Sequence, residues 1–229
     1  MNPAPSSFDR PHNEGRVALL AGATGLIGGE LLRLLRESPR YAHTHLLVRR
    51  ANAAFAGDAR TTLHVVDFAG LPALPTIDDV YIALGTTIKV AGSKEAFRAV
   101  DFDHVVATAS AARAAGATRL AVVSALGAEV HSSMFYNRVK GEMQAAVGAL
   151  GFESVVIAQP SLLIGDRAAL GQPLRAGEVW VTRLLAPVMA LVPRGVRPIR
   201  AAAVAASMVE AVLSARPGVR VLGSGAMQR

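Results

Sequence analysis

Gly22-Ala-Thr-Gly25-Leu-Ile-Gly28 follows the apolar run Val17-Ala-Leu-Leu-Ala21 and opens the amphipathic segment Glu30-Leu-Leu-Arg-Leu-Leu-Arg36. The context reads as strand, tight glycine turn, helix. Glycines at this spacing let the chain turn sharply, let a pyrophosphate approach the main chain, and let the helix pack close to the strand. An anion then sits on the unpaired N–H groups of the helix N-terminus. Gly22, Thr24, Gly25, Leu26, Ile27 and Gly28 are therefore candidate dinucleotide-binding residues. Without the flanking strand and helix, the same glycines would make only a turn.

Downstream, strand-like and helix-like segments alternate. His45–Val48, Thr62–Val66, Val80–Leu84, Leu120–Ser124 and Ser154–Ala158 read as strands two to six, with helical patterns over 94–115 and 135–150. Such alternation predicts an α/β Rossmann-type fold, a doubly wound parallel sheet joined by right-handed crossovers with helices on both faces. The chain has 229 residues, 52% hydrophobic but only 5% aromatic, so the core must be built from Ala, Val and Leu. Small side chains suit a sheet buried on both faces. One domain over 16–229 is expected, preceded by a loose leader at 1–15, with small substrate-side insertions near 160–199 forming a C-terminal lobe.

Composition excludes several chemistries. The chain has no cysteine, which removes disulfides, thiolate metal sites and cysteine nucleophiles, and this fits a cytoplasmic protein. The net charge is +7, yet the arginines are spread singly without interleaved aromatics, so no nucleic-acid partner is expected. No apolar run reaches the length of about eighteen residues needed for a membrane span. His43 and His45 share a strand face, but no companion ligand completes a metal pattern, so no metal is expected. The apolar segment Trp180–Val192, with Pro187 inside it, reads as a kinked helix, and Asp166-Arg167 as a loop ion pair near the pocket.

The residues after the second strand select the cofactor. An acid there bonds a ribose 2′-hydroxyl, whereas arginine accommodates a 2′-phosphate. Arg49-Arg50 stand there with no nearby acid, favouring NADP(H) over NAD(H). Asp67 and Phe68, after the third strand, are candidates to bracket an adenine, though an Asp ending a strand also serves as a turn residue. Tyr136 and Lys140, four apart on a helix, project from one face, where the ammonium favours a phenolate and so general acid–base chemistry. Ser124 ends the fifth strand, where its hydroxyl can polarise a substrate carbonyl.

At these residues the chain resembles the short-chain dehydrogenase/reductase superfamily, and within it the atypical, epimerase/dehydratase-like branch that includes the Tat-interacting oxidoreductase-like proteins. The resemblance spans about residues 16–225. Leu84-Gly-Thr-Thr87, Val100-Asp101, Ser124-Ala-Leu-Gly-Ala128 and Phe135-Tyr136-x-x-x-Lys140-Gly-Glu142 carry it. It implies NADPH contacts at Thr24 to Ile27, Arg49, Arg50, Leu84, Gly85, Tyr136 and Lys140, with Thr86 beside them and Pro160 to Leu163 on the nicotinamide side. It also implies Tyr136 as the catalytic residue. Many members carry Asn where this chain has Asp101, and a carboxylate does not reproduce an amide's paired donor and acceptor.

The expected function is an NADP(H)-dependent oxidoreductase acting on a small, partly apolar carbonyl, from a monomer or homodimer. Met134, Phe135, Leu162, Leu163 and Trp180 are candidate pocket residues. The alternatives are an NADPH-binding regulatory protein with little turnover, and an epimerase or dehydratase using the same cofactor.

Overall fold

The computed structural model describes residues 15–52, 55, 58–164 and 193–228. Residues 1–14 of the leader, the Asp166-Arg167 pair, Trp180 and the kinked helix expected over 180–192 lie outside these residues.

Strand β1 (Arg16–Ala21) runs straight into the glycine turn and helix α1 (Leu26–Glu37). It is followed by β2 (Tyr41–Val48), β3 (Thr61–Val65) and β4 (Asp79–Ile82). Two short helices come next, α2 (Ile88–Ala91) and α3 (Lys94–Arg98). The latter passes through a π-helical turn (Ala99–Asp103) into α4 (His104–Ala114). Then come β5 (Arg119–Val123), α5 (Phe135–Gly148), β6 (Ser154–Gln159), β7 (Leu163–Ile164) and β8 (Ile199–Arg200). Helix α6 (Ala201–Leu213), β9 (Gly218–Gly223) and α7 (Ser224–Met227) complete the order.

Seven strands form one parallel sheet in the order β3-β2-β1-β4-β5-β6-β9, and β7 pairs with β8 alone. The strand order reverses at β1, and the crevice beyond the carboxyl ends of β1 and β4 is where such sheets bind ligands. Leu20, Leu46 and Ala121 pack under Leu31 and Leu35 of α1 and Val204 and Met208 of α6. Leu19, Leu47, Val80 and Leu120 pack under Val105 and Ala109 of α4 and Met143 and Val147 of α5. Burial on both faces explains why the strands read as continuous apolar runs. Strand β9 and helix α6 extend the fold beyond the six expected strands.

Glycine is required where α1 meets the turn. Gly22 has φ +96°, and a Cβ there would lie 2.5 Å from the Ala83 carbonyl oxygen. At Gly28 a Cβ would lie 1.9 Å from the Gly22 oxygen, so the first turn of α1 rests directly on the preceding backbone. Gly28→Ala is expected to destabilise the protein by about 1–3 kcal/mol, the usual cost of overpacking a tight contact, measured by urea unfolding.

The opposite end of the sheet is closed by a buried polar cluster. Arg16 donates to both oxygens of Asp79 at 2.6 and 2.7 Å, and the Tyr41 hydroxyl donates to Asp79 Oδ2 at 2.8 Å. Tyr41 has thereby used its proton, so the Tyr81 hydroxyl, 2.7 Å away, donates to it. Burial first, then the neighbouring phenol and carboxylate, push the Tyr41 hydroxyl far above the ordinary phenol range, and burial does the same to Tyr81.

His64 joins the two histidines of β2. His45 Nδ1 lies 3.0 Å from His64 Nε2, and His43 bonds Thr62 at 2.8 Å. Desolvation, then the neighbouring imidazoles, lower His45 to about 4, so it stays neutral at physiological pH. Among the described residues no group of three or more His, Cys, Asp or Glu is arranged to hold a metal ion.

Candidate functional site

A cleft of about 1820 Å³ opens at the carboxyl ends of the strands. This exceeds the range of about 300–1,000 Å³ typical of small-ligand pockets, and leaves room for a dinucleotide beside a small substrate. Gly22, Thr24, Gly25, Leu26 and Ile27 form one wall, Arg49 and Arg50 one end, and Leu84, Gly85 and Thr86 the floor. Ser124, Tyr136, Lys140, Pro160 and Leu163 line the other end. Gly28 does not line the cleft; it sits beneath the turn as a packing residue.

The nucleotide end is suited to an anion. Helix α1 begins at Gly25 with no side-chain cap and no acid in its first turn, leaving its N-terminal dipole free for a ligand. The glycine turn keeps side chains away from that backbone. Arg49 and Arg50 are exposed at the rim, and Asp101, at the far end, is the single carboxylate among the described lining residues. A dinucleotide fits this arrangement, and the uncapped end of α1 would suit its phosphates.

The structure does not bring Asp67 and Phe68 together on the cleft wall. Asp67 Oδ1 accepts from Ala69 N at 3.0 Å, a turn-closing bond, and Asp67 is not part of the lining. Phe68 reaches the cleft but is buried, with its ring stacked at 5.7 Å on His104. Among the expected pocket residues, Leu162 and Leu163 line the cleft, while Met134 and Phe135 do not. Phe135 turns toward Phe97, at 6.0 Å, beneath the cationic ends of Lys94 and Arg138, and Met134 points to solvent.

The other end gathers titratable groups. Tyr136 and Lys140 lie on the same face of α5, with the Tyr136 ring 5.3 Å from buried Phe97. An Arg98–Glu142 ion pair ties α3 to α5 behind them. The Lys140 side chain is 3% exposed, and its Nζ lies 2.8 Å from Asp101 Oδ1. Asp101 Oδ2 accepts from Thr86 N at 2.8 Å, so one carboxylate joins α5 to the floor of the cleft. The chain has three tyrosines. Tyr41 and Tyr81 are locked into the cluster at the far end of the sheet, which leaves Tyr136 as the phenol of the cleft.

Ser124 is held from two sides. Its amide donates to the Ala158 oxygen at 2.7 Å, and its Oγ accepts from Gln144 Nε2 at 2.6 Å. Gln144 Oε1 in turn accepts from Gln159 Nε2 at 3.2 Å. Neither glutamine was singled out from the sequence. The available signal was Gln144 continuing the Tyr136, Lys140 spacing by one more step of four.

A reversing parallel sheet with an uncapped glycine turn at its switch point defines a Rossmann-type nucleotide-binding fold. The chain belongs to the NAD(P)H-binding family, whose profile matches residues 22–157. It is similar to the protein FMP52, mitochondrial, of Eremothecium gossypii, with 36% identity over 151 residues, covering 66% of this chain and 67% of that protein. It is also similar to the fmp52 protein of Emericella nidulans, with 38% identity covering 65% and 67% of the two chains.

Among solved structures, an oxidoreductase of the short-chain dehydrogenase/reductase family from Burkholderia thailandensis superposes with a TM-score of 0.68 at 17% identity, covering 95% of this chain and 94% of that one. MoeE5 in complex with UDP-glucose and NAD superposes with a TM-score of 0.66 at 16% identity, covering 91% and 76%. At these identities the superpositions establish the fold, which is that of NAD(P)-dependent oxidoreductases and epimerases. The expectation of a cytoplasmic protein is overturned by the relatives, since those at 30–38% identity are named as mitochondrial. Absence of cysteine was too general a property to specify a compartment. Among the described residues no helix is long and apolar enough to cross a membrane.

Proposed function

We propose that the protein is an NADPH-dependent reductase of small, partly apolar carbonyl compounds. The observation that carries this reading is the convergence of Tyr136, Lys140 and Ser124 at one end of a cleft whose other end is an uncapped glycine turn flanked by two arginines. Bound NADPH supplies the hydride. Ser124 orients the substrate carbonyl, and as the carbon gains the hydride its oxygen takes the π electron pair and the proton of the Tyr136 hydroxyl. The substrate would leave as an alcohol, two electrons and two protons richer, and the phenolate left on Tyr136 would regain a proton from solvent. Lys140, held by Asp101 at 2.8 Å, would support that phenolate. Leu126, Leu162 and Val196 give the substrate end an apolar rim.

The preference for NADPH is supported by Arg49 and Arg50 at the β2 end of the cleft, where no carboxylate lines the wall. The Arg49→Ala/Arg50→Ala variant is expected to raise the NADPH dissociation constant on the order of tenfold to a hundredfold, from about 1.5–3 kcal/mol for a charge-assisted bond. NADH affinity should change little. Calorimetric titration with both nucleotides tests this, and equal losses for the two would refute the 2′-phosphate assignment. Failure of the unaltered protein to bind either nucleotide would overturn the whole reading.

A second reading is a cofactor-binding regulatory protein with little turnover. It is favoured by the Asp101 contact, which already engages the Lys140 ammonium. A panel of apolar ketones and quinones separates the two, since reduction that depends on Tyr136 belongs to the first reading alone.

A further inference from the structure

We infer that Gln159 and Gln144 form an amide chain that fixes the polarity of Ser124, so that its hydroxyl donates into the cleft. This positioning role rests on the reductase reading for its consequence in turnover. It rests on geometry alone for its existence.

A serine hydroxyl has one proton and two lone pairs, and a primary amide has a donating end and an accepting end. Gln144 lies four residues beyond Lys140 and eight beyond Tyr136, on the same side of α5. Gln159 Nε2 donates to its Oε1 at 3.2 Å, and its Nε2 donates to Ser124 Oγ at 2.6 Å. Ser124 therefore spends a lone pair on Gln144 and keeps its proton. The serine lines the cleft, and among the described residues its Oγ has no hydrogen-bond partner besides Gln144, so its proton is left for an acceptor that enters the cleft.

The consequence is chemical selectivity. A hydroxyl held as donor meets an oxygen that accepts, and its contribution grows as negative charge builds on that oxygen. With hydride arriving at carbon, that atom is the carbonyl oxygen. A carboxylate at position 144 would be close to the amide in shape but only accept. Ser124 would then turn its proton away from the cleft to donate to it, while Gln159 could still donate to the other oxygen.

The test uses Gln144→Glu, Gln144→Met and Ser124→Ala in the full chain, with phenanthrenequinone as the carbonyl probe and NADPH as reductant. For Gln144→Glu at neutral pH, kcat should fall on the order of a hundredfold, as on removing one donor from a developing oxyanion. NADPH affinity should stay unchanged. As the pH falls and the new carboxyl protonates, it regains a donor, and kcat should climb back toward that of the unaltered protein. Gln144→Met, which frees the serine rotor without reversing it, should lose only a few-fold. Combined with Ser124→Ala, the glutamate should add no further loss.

Equal activity of Gln144→Glu and the unaltered protein across pH, or a loss that adds fully to that of Ser124→Ala, would overturn the inference. A second readout needs no turnover. In the nucleotide-free protein, Ser124→Ala should shift the Gln144 side-chain amide resonances, identified by their loss in Gln144→Met. Unmoved resonances would overturn the amide chain. If the unaltered protein reduces no probe carbonyl while those resonances do move, the reductase reading fails and the chain stands.

Discussion

Tyr136→Phe is expected to lower turnover of a carbonyl substrate on the order of 10²- to 10⁴-fold, the usual contribution of a positioned acid–base group, while leaving the NADPH dissociation constant within about twofold. The substitution removes one oxygen from a ring that keeps its place. Phe97 still holds the ring at its present separation, and the Arg98–Glu142 ion pair still clamps α3 to α5. Loss of rate therefore reports loss of the proton donor rather than collapse of the helix. Neither remaining tyrosine can substitute, because Tyr41 and Tyr81 are buried at the other end of the sheet with their protons committed to Asp79 and Tyr41. Steady-state kinetics with a reactive quinone, paired with calorimetric NADPH binding, measures both quantities. Undiminished turnover would remove Tyr136 from the chemistry and move the reading toward a cofactor-binding regulator.

The parts of this molecule that could be read from sequence are those specified by neighbouring residues. Gly22 to Gly28 declares itself because the strand before it and the helix after it are each apolar at their own period. The π-turn is invisible in the same way that the helix around it is visible. The pattern over 94–115 is continuous, and the turn that carries Asp101 into the cleft changes the hydrogen-bond step rather than the composition. The start of β2 was missed because Tyr41 and Thr44 are buried polar residues, and Tyr41 is accommodated only by Asp79 and Tyr81 from a distant strand. Strand β9 was missed because it is an edge: Val219 and Val221 are half exposed and the segment is bounded by glycines. Helix α6 begins without a side-chain cap in an alanine run that carries little periodic contrast. For the candidate site, Tyr136 and Lys140 were legible from spacing within one helix. Gln144 and Gln159 were not, because their bond joins a helix to a strand.

Asp101 carries the second large effect. Asp101→Leu should destabilise the folded protein by about 3–5 kcal/mol, the cost of breaking a buried ion pair by removing one partner. The Lys140 ammonium is withdrawn from water, and without Asp101 it would lose the carboxylate that compensates it. Thr86 N would lose its acceptor as well, so the floor of the cleft and α5 would be disconnected at one stroke. Asp101→Asn separates these contributions. An amide oxygen still accepts from Thr86 N and keeps the shape, but the charge opposite Lys140 is gone, so its loss should be smaller than that of leucine.

The double variant Asp101→Leu/Lys140→Leu should recover most of the stability, because replacing both members of a buried pair with apolar groups is often neutral or favourable. It should remain unable to turn over substrate. Urea unfolding of the unaltered protein, Asp101→Leu, Lys140→Leu and the double variant closes a double-mutant cycle, and the expected signature is strong coupling between positions 101 and 140. Additive losses would show that Asp101 acts through Thr86 alone. The carboxylate that stands where many superfamily members carry Asn would then be a support for the cleft floor rather than the counter-ion of Lys140.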